Sequence, residues 1–224
     1  MEYYVDTADI AKIKRIMKWL PLNGVTMNPS LVAKTGQKVF EILSEVLEIT
    51  NGPVHVQVMA RDSEGIIKDA HKLNSVDTDR IYVKIPVSRQ GLSAIKDIDT
   101  NEVNVTATAV FTVSQALTAA KAGTKYVAPY FSRVNKMEQS GFGLIKDIQT
   151  VFDNYTFNTK ILAASVKNAF DVKELFKLGI AAITVPPEIY EQAHQHSLTD
   201  QAIKMFEDDW TGVFEGLDLE ADLK

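Results

Sequence analysis

The chain contains no cysteine, which excludes disulfides and thiolate metal sites. It has no excess of positive charge. Lysine and arginine number 24 against 29 acidic residues, for a formal net charge of -5. Nucleic-acid-binding domains carry a basic footprint, so no nucleic-acid partner is expected. No apolar run is long enough to span a bilayer. Met1-Glu2-Tyr3-Tyr4-Val5-Asp6 lacks the basic region and long apolar core of a secretory signal. A cytoplasmic protein without a membrane partner is expected. The glycines form neither G-x-G-x-x-G nor G-x-x-x-x-G-K, so nucleotide-binding phosphate loops are missing. His55, His71, His194 and His196 show no metal-ligand spacing beside a carboxylate, and no metal site is expected.

What is present is organised around Ile81-Tyr82-Val83-Lys84-Ile85-Pro86. Ile81, Val83 and Ile85 alternate with Tyr82 and Lys84, so one face is aliphatic and the other is not. Pro86 cannot donate to a ladder and closes the strand. Burial disfavours an ammonium, and a neutral amine is a nucleophile toward carbonyls. A lysine whose head reaches solvent at the strand end is the plainer reading of the same stretch.

Strands are expected at residues 3–6, 54–59, 81–86, 103–110, 126–130, 160–165 and 182–185, with a short strand running into a turn over 24–30. Helices are expected at 9–19, 39–49, 63–73, 91–98, 113–122, 144–152, 172–178 and 188–194, and a last one near 199–212. Pro29 ends the second strand in a turn. Arg133 and Asn135 fall in a polar loop, and residues after Gly216 in a polar, acidic tail. Eight strand–helix units of roughly 25–30 residues are the rhythm of a (β/α)8 TIM barrel. A single domain over residues 1–224 is expected, with a doubly wound open sheet as the alternative.

In a parallel barrel the outward strand faces pack on helices and the inward faces fill the interior. Val54, Val56, Val58, Val83, Ile85, Val105, Ala107 and Ile161 are assigned outward, as is Ala109. Asp6, Gln57, Lys84, Thr106, Thr108 and Tyr130 are left inward or at strand ends, with Ser165 following the seventh strand. Buried polar groups require partners or a substrate, and six converging from different strands form the pattern of a site. Residue by residue, plainer roles exist. Asp6 caps a helix starting near Ala8. Gln57 joins a buried network. Tyr130 is a core aromatic. Thr106 and Thr108 are ordinary strand residues.

Several stretches resemble one known family. They are Val5-Asp6-Thr7, Gly24-Val25-Thr26-Met27-Asn28-Pro29-Ser30, Gln57-Val58-Met59-Ala60, Val83-Lys84-Ile85-Pro86-Val87, Ala128-Pro129-Tyr130, Arg133 and Ala163-Ala164-Ser165-Val166-Lys167. Their order and spacing resemble the small transaldolase family, and within it the fructose-6-phosphate aldolase branch. The resemblance implies a class I, metal-free aldolase without a cofactor, acting on small sugar phosphates. It implies Lys84 as the Schiff-base lysine, with Asp6, Asn28 and Thr26 about it. Gln57, Thr108 and Tyr130 become the water-ordering and proton-carrying group, and Arg133 and Ser165 the phosphate site, with Lys167 nearby. Transaldolases of the family usually carry Glu and Phe where Gln57 and Tyr130 stand. Phe131, Ser132 and Val166 depart from the family pattern beside the phosphate positions. The resemblance further implies a ring-shaped homo-oligomer, a pentamer or decamer, whose C-terminal helix packs on a neighbour. Phe206 and Trp210 suit that contact, or else close the bottom of their own barrel.

Overall fold

The computed structural model describes residues 1–135 and 140–214. Eight parallel strands close into one barrel in chain order. They are β1 (Glu2–Asp6), β2 (Gly24–Thr26), β3 (Val54–Gln57), β4 (Ile81–Pro86), β5 (Asn104–Val110), β6 (Tyr126–Pro129), β7 (Lys160–Ala163) and β8 (Ala182–Val185). The chain is therefore a (β/α)8 TIM barrel, and the open-sheet alternative falls because β1 pairs with β8.

The crossovers are α1 (Ile10–Met17), α2 (Pro29–Thr35) with α3 (Val39–Ile49), α4 (Ser63–Asn74), α5 (Arg89–Asp97), α6 (Val113–Lys121), α7 (Phe131–Asn135) with α8 (Gly141–Asn154), α9 (Ala169–Lys177) and α10 (Pro187–His194). A last helix, α11 (Ser197–Thr211), follows the barrel. Their starts are set locally. Asp9, Asn28, Asp62, Ser88, Thr112, Ser140 and Asn168 each accept a bond from the first-turn backbone. Two of these helices were expected to be irregular. Asn28-Pro29 starts α2 instead of a turn, because proline at the first helical position loses no bond and asparagine caps it. Arg133 and Asn135 lie in the short helix α7 and not in a loop.

Two apolar layers follow from strand alternation. Val54, Val56, Val58, Val83, Ile85, Val105, Ala107 and Ile161 join the continuous core between barrel and helices, as expected from their faces. Ala109 does not. It has a left-handed backbone, φ 56°, at a bulge between Thr108 and Val110, and Val110 takes the core position in its place. Inside the barrel lies a smaller layer of Tyr4, Tyr126, Ala128, Leu162, Ala164 and Ala182.

The lower barrel is aromatic and polar. His55 is fully buried. Its ring meets those of Tyr4, Tyr82 and Tyr126 at 4.9, 4.9 and 5.1 Å. Glu2 closes the base across three strands. Its carboxylate accepts from Tyr126 at 2.7 Å, Tyr4 at 3.2 Å and Lys160 at 2.6 Å. Gly24 is required there, since a side chain would lie 2.1 Å from the Pro53 carbonyl and 2.9 Å from the Tyr4 ring. The base is thus not closed by α11: no residue of that helix is buried, and Phe206 is exposed. The expected acidic tail lies outside the described residues.

Candidate active site

The strands' C-terminal ends open into a cavity of about 940 Å³. Its lining includes Asp6, Asn28, Gln57, Lys84, Tyr130, Arg133, Ser165 and Lys167. Strand order explains the convergence. Asp6 ends β1, Gln57 ends β3, Lys84 is inward on β4, and Tyr130 and Ser165 follow β6 and β7.

Lys84 is 4% exposed, so its head does not reach solvent as an ordinary lysine's does. Nζ donates to the Met27 carbonyl at 3.0 Å. Burial pushes its ammonium below the usual lysine range, while the charge of Asp6 pulls the other way. Burial is the larger effect, and its direction is what a nucleophilic amine needs.

Asp6 does not cap a helix; Asp9 does that for α1. Asp6 Oδ1 accepts from the Thr26 hydroxyl at 2.8 Å, and Thr26 meets the Thr184 hydroxyl at 2.6 Å. Thr26 is fully buried and is joined to the cavity through Asp6 and Thr184, which line it. Thr108 is also fully buried, and its hydroxyl donates to Tyr130 Oη at 3.4 Å. Thr106 turns down the barrel, where its hydroxyl meets His55 Nδ1 at 2.9 Å. It belongs to the floor beneath the site. Asn28 uses Oδ1 to cap α2, which holds its amide at the cavity wall.

Arg133 has no ion-pair partner among the described residues, and its guanidinium lies 5.0 Å from the centre of the Tyr130 ring. Ser165 sits in the left-handed region at φ 62°, just after Ala164 bridges to Tyr130. A non-glycine residue held there costs about 1–2 kcal/mol, and such strain is held where surrounding structure demands it.

Sequence reading passed over Thr184, Ser30 and Lys12, which also line the cavity. Thr184 had a usable signal: in Ala182-Ile183-Thr184-Val185 it shares the inward face with Ala182, opposite two aliphatics. Lys12 is paired with Glu188 at the rim. Among the described residues, no group of three or more His, Asp or Glu is placed to hold a metal ion.

A sequence model of the transaldolase/fructose-6-phosphate aldolase family matches residues 3–217. The chain belongs to that family. It is 38% identical over 213 residues to a "probable transaldolase" of Hydrogenobaculum, covering 95% of this chain and 98% of the relative. A protein of the same description from Kosmotoga olearia is 37% identical over 219 residues, covering 98% and 100%. Among solved structures, a thiamine phosphate pyrophosphorylase from Pyrococcus furiosus superposes with a TM-score of 0.59 over 86% of this chain and 93% of that one. At 14% identity that likeness speaks for the barrel alone.

Proposed function

We propose that the protein is a class I aldolase. It would cleave and form fructose 6-phosphate from dihydroxyacetone and glyceraldehyde 3-phosphate through an imine on Lys84. The observation that carries this reading is the buried amine of Lys84 in one cavity with Gln57 and Tyr130.

Neutral Lys84 attacks the ketone carbon, and loss of water from the carbinolamine gives an iminium. The C3–C4 bonding pair flows into the iminium and leaves an enamine. The C4 hydroxyl loses its proton as the aldehyde departs. Tyr130 would carry that proton, through a water ordered by Gln57 and Thr108, and return it to the enamine carbon; the Thr108–Tyr130 bond and the cavity that Tyr130 shares with Gln57 support this reading. Hydrolysis of the new iminium then frees dihydroxyacetone and the amine. Arg133, without an ion-pair partner among the described residues, would offer its planar fork to the aldehyde's phosphate, with Ser165 and Lys167 lining the same cavity.

Relatives described as probable transaldolases favour a second reading, in which the enamine attacks an acceptor aldose phosphate. Gln57 and Tyr130 favour release, since the family's transaldolases usually have Glu and Phe there. Fructose 6-phosphate without an acceptor is the deciding substrate. Release of free dihydroxyacetone at each turnover supports the aldolase. A single enzyme-bound equivalent, released only when erythrose 4-phosphate is added, supports transfer. A barrel isomerase without an imine would leave no borohydride-reducible adduct on Lys84.

A further inference from the structure

We propose that Ser132 and Asp171 are positioning residues for the phosphate of the acceptor aldehyde. Their hydroxyl–carboxylate contact would fix helix α7 against helix α9, and so set Arg133 relative to Ser165 and Lys167. The inference rests on the reading of Arg133 as the phosphate-binding residue and names what holds it in place.

The two helices carry the two sides of the candidate phosphate site. Arg133 is in α7, and Ser165 and Lys167 lie in the segment that leads from β7 into α9. A helix of five residues does not sustain itself, so its placement depends on what its buried side packs against. Arg133 is exposed, while Phe131, Ser132 and Val134 are buried. Phe131 is held by the Phe142 ring at 4.5 Å and by its N–H, which donates to the Ala164 carbonyl at 3.0 Å. Ser132 is the polar member of that buried side.

Ser132 Oγ is buried and completes no regular hydrogen bond. What its hydroxyl faces is the carboxyl of Asp171, in the first turn of α9. Asp171 is 8% exposed and is itself fixed. Its Oδ2 accepts from Asn168 Nδ2 at 2.9 Å, and its N–H donates to Asn168 Oδ1 at 2.8 Å. Burial pushes this carboxyl above the usual aspartate range, and the Asn168 amide and the Ser132 hydroxyl pull it back. A hydroxyl has one proton to give, and a buried one is costly to leave unspent. Given to Asp171, that proton ties α7 to the capped start of α9. Asn168, the cap, directly follows Lys167, so the tie reaches the other side of the phosphate site. Neither Ser132 nor Asp171 lines the cavity, so both act through Arg133 and its neighbours.

Ser132→Ala removes the hydroxyl and Asp171→Ala the carboxylate. In Asp171→Asn the amide can donate to the Ser132 oxygen and restore the tie. The readout is kcat/KM for glyceraldehyde 3-phosphate relative to glyceraldehyde, with dihydroxyacetone as donor. That ratio should fall about fivefold in each alanine variant, through KM of the phosphorylated aldehyde and not through kcat. It should fall no further in the double alanine variant, because the two groups act as one contact. In Asp171→Asn it should stay within about twofold of the parent. A loss of stability alone would lower the rates for both aldehydes together and leave the ratio in place. If Asp171→Ala shows no cooperative unfolding, Ser132→Ala and Asp171→Asn decide the question. An unchanged ratio in folded Ser132→Ala, losses that multiply in the double variant, or a fall in Asp171→Asn as deep as in Ser132→Ala each overturn the proposal. Equal losses for both aldehydes in Arg133→Ala, or no borohydride-reducible adduct in the parent with dihydroxyacetone, overturn the reading of the site, and this inference with it. A selective loss in Arg133→Ala together with an unchanged ratio in Ser132→Ala removes this inference alone.

Discussion

Lys84 Nζ donates to the carbonyl of Met27 at 3.0 Å, and the N–H of that same Met27 donates to the carbonyl of His55 at 2.8 Å. The lysine is thus aimed by a residue whose backbone the neighbouring strand already holds. Nothing in this arrangement neutralises the ammonium, because a backbone carbonyl carries only a partial charge. Burial shifts the balance toward the free amine, and the Met27 carbonyl keeps it pointed.

Lys84→Met should abolish borohydride trapping with dihydroxyacetone and leave the circular dichroism spectrum of the barrel in place. It should also raise the melting temperature near neutral pH. The folded-state pKa is lowered, so the unfolded chain binds the proton more tightly, and folding with this lysine becomes less costly as pH rises. The gain from methionine should therefore shrink on approach to the ordinary lysine value of about 10.4. An adduct that persists in the variant would assign the imine to another lysine.

His55 makes an opposite end of the pH scale testable. Its ring is held below the ordinary imidazole range by burial first and by Lys84 second. It is faced by Tyr4 from β1, Tyr82 from β4, Thr106 from β5 and Tyr126 from β6, and feels the charge of Lys84 from β4; no carboxylate among the described residues is bonded to it. Below pH about 6.5 the unfolded chain takes a proton that the folded chain refuses, so stability falls with pH by up to about 1.4 kcal/mol per unit. The loss continues down to the lowered folded value. His55→Phe with Thr106→Val removes both partners of the buried bond and should flatten that part of the acid limb. Denaturant titrations from pH 7 to 5 on both proteins measure the difference; parallel curves would mean His55 does not titrate on unfolding.

Arg133→Ala should weaken glyceraldehyde 3-phosphate far more than glyceraldehyde. A lost charge-assisted contact of about 1.5–3 kcal/mol corresponds to roughly a ten- to hundredfold change in kcat/KM. Equal losses for the two aldehydes would move the phosphate site elsewhere on the rim.

We propose that copies of this chain assemble through α11. This helix of 15 residues buries none of them and exposes Leu198, Ile203, Met205 and Phe206. An apolar stripe of that kind on a helix implies a partner surface. Sedimentation should show an assembly of the parent, a pentamer or decamer by the family resemblance, and a smaller species for Ile203→Ser with Phe206→Ser. A monomeric parent would end the proposal.

Much of this could be read from alternation. The aliphatic faces of β3, β4 and β5 named the outer core, and the polar remainder named Asp6, Gln57, Lys84 and Tyr130 as cavity residues. Alternation failed where the backbone leaves the regular pleat. The bulge at Ala109 exchanges two positions, and no property of alanine announces it. It also failed to separate the floor from the site. Thr106 and Thr108 are the same residue type on the same face, yet one bonds down to His55 and the other up to Tyr130. Helix α2 was hidden because Asn-Pro reads equally as a turn and as a cap with its first helical residue.

Gln57 and Tyr130 bear on the partition of the enamine. A carboxamide orients a water but takes no proton, whereas a carboxylate does both. Tyr130 receives the Thr108 hydroxyl bond at 3.4 Å and shares the cavity with Gln57 and Lys84. The enamine has two fates. Protonation leads to release of dihydroxyacetone, and attack on an acceptor aldehyde leads to transfer. Tyr130→Phe removes the phenol that protonates, and Gln57→Glu supplies a base for the acceptor's proton through water. In the double variant, transfer to erythrose 4-phosphate relative to free dihydroxyacetone released should rise at least about tenfold, roughly 1.4 kcal/mol in relative barrier. The ratio is measured at fixed fructose 6-phosphate, and borohydride trapping on the same sample confirms that Lys84 still forms its imine. An unchanged ratio in a folded, imine-forming variant would show that these two side chains do not set the partition, and the choice between release and transfer would then lie with how long the acceptor is held at Arg133.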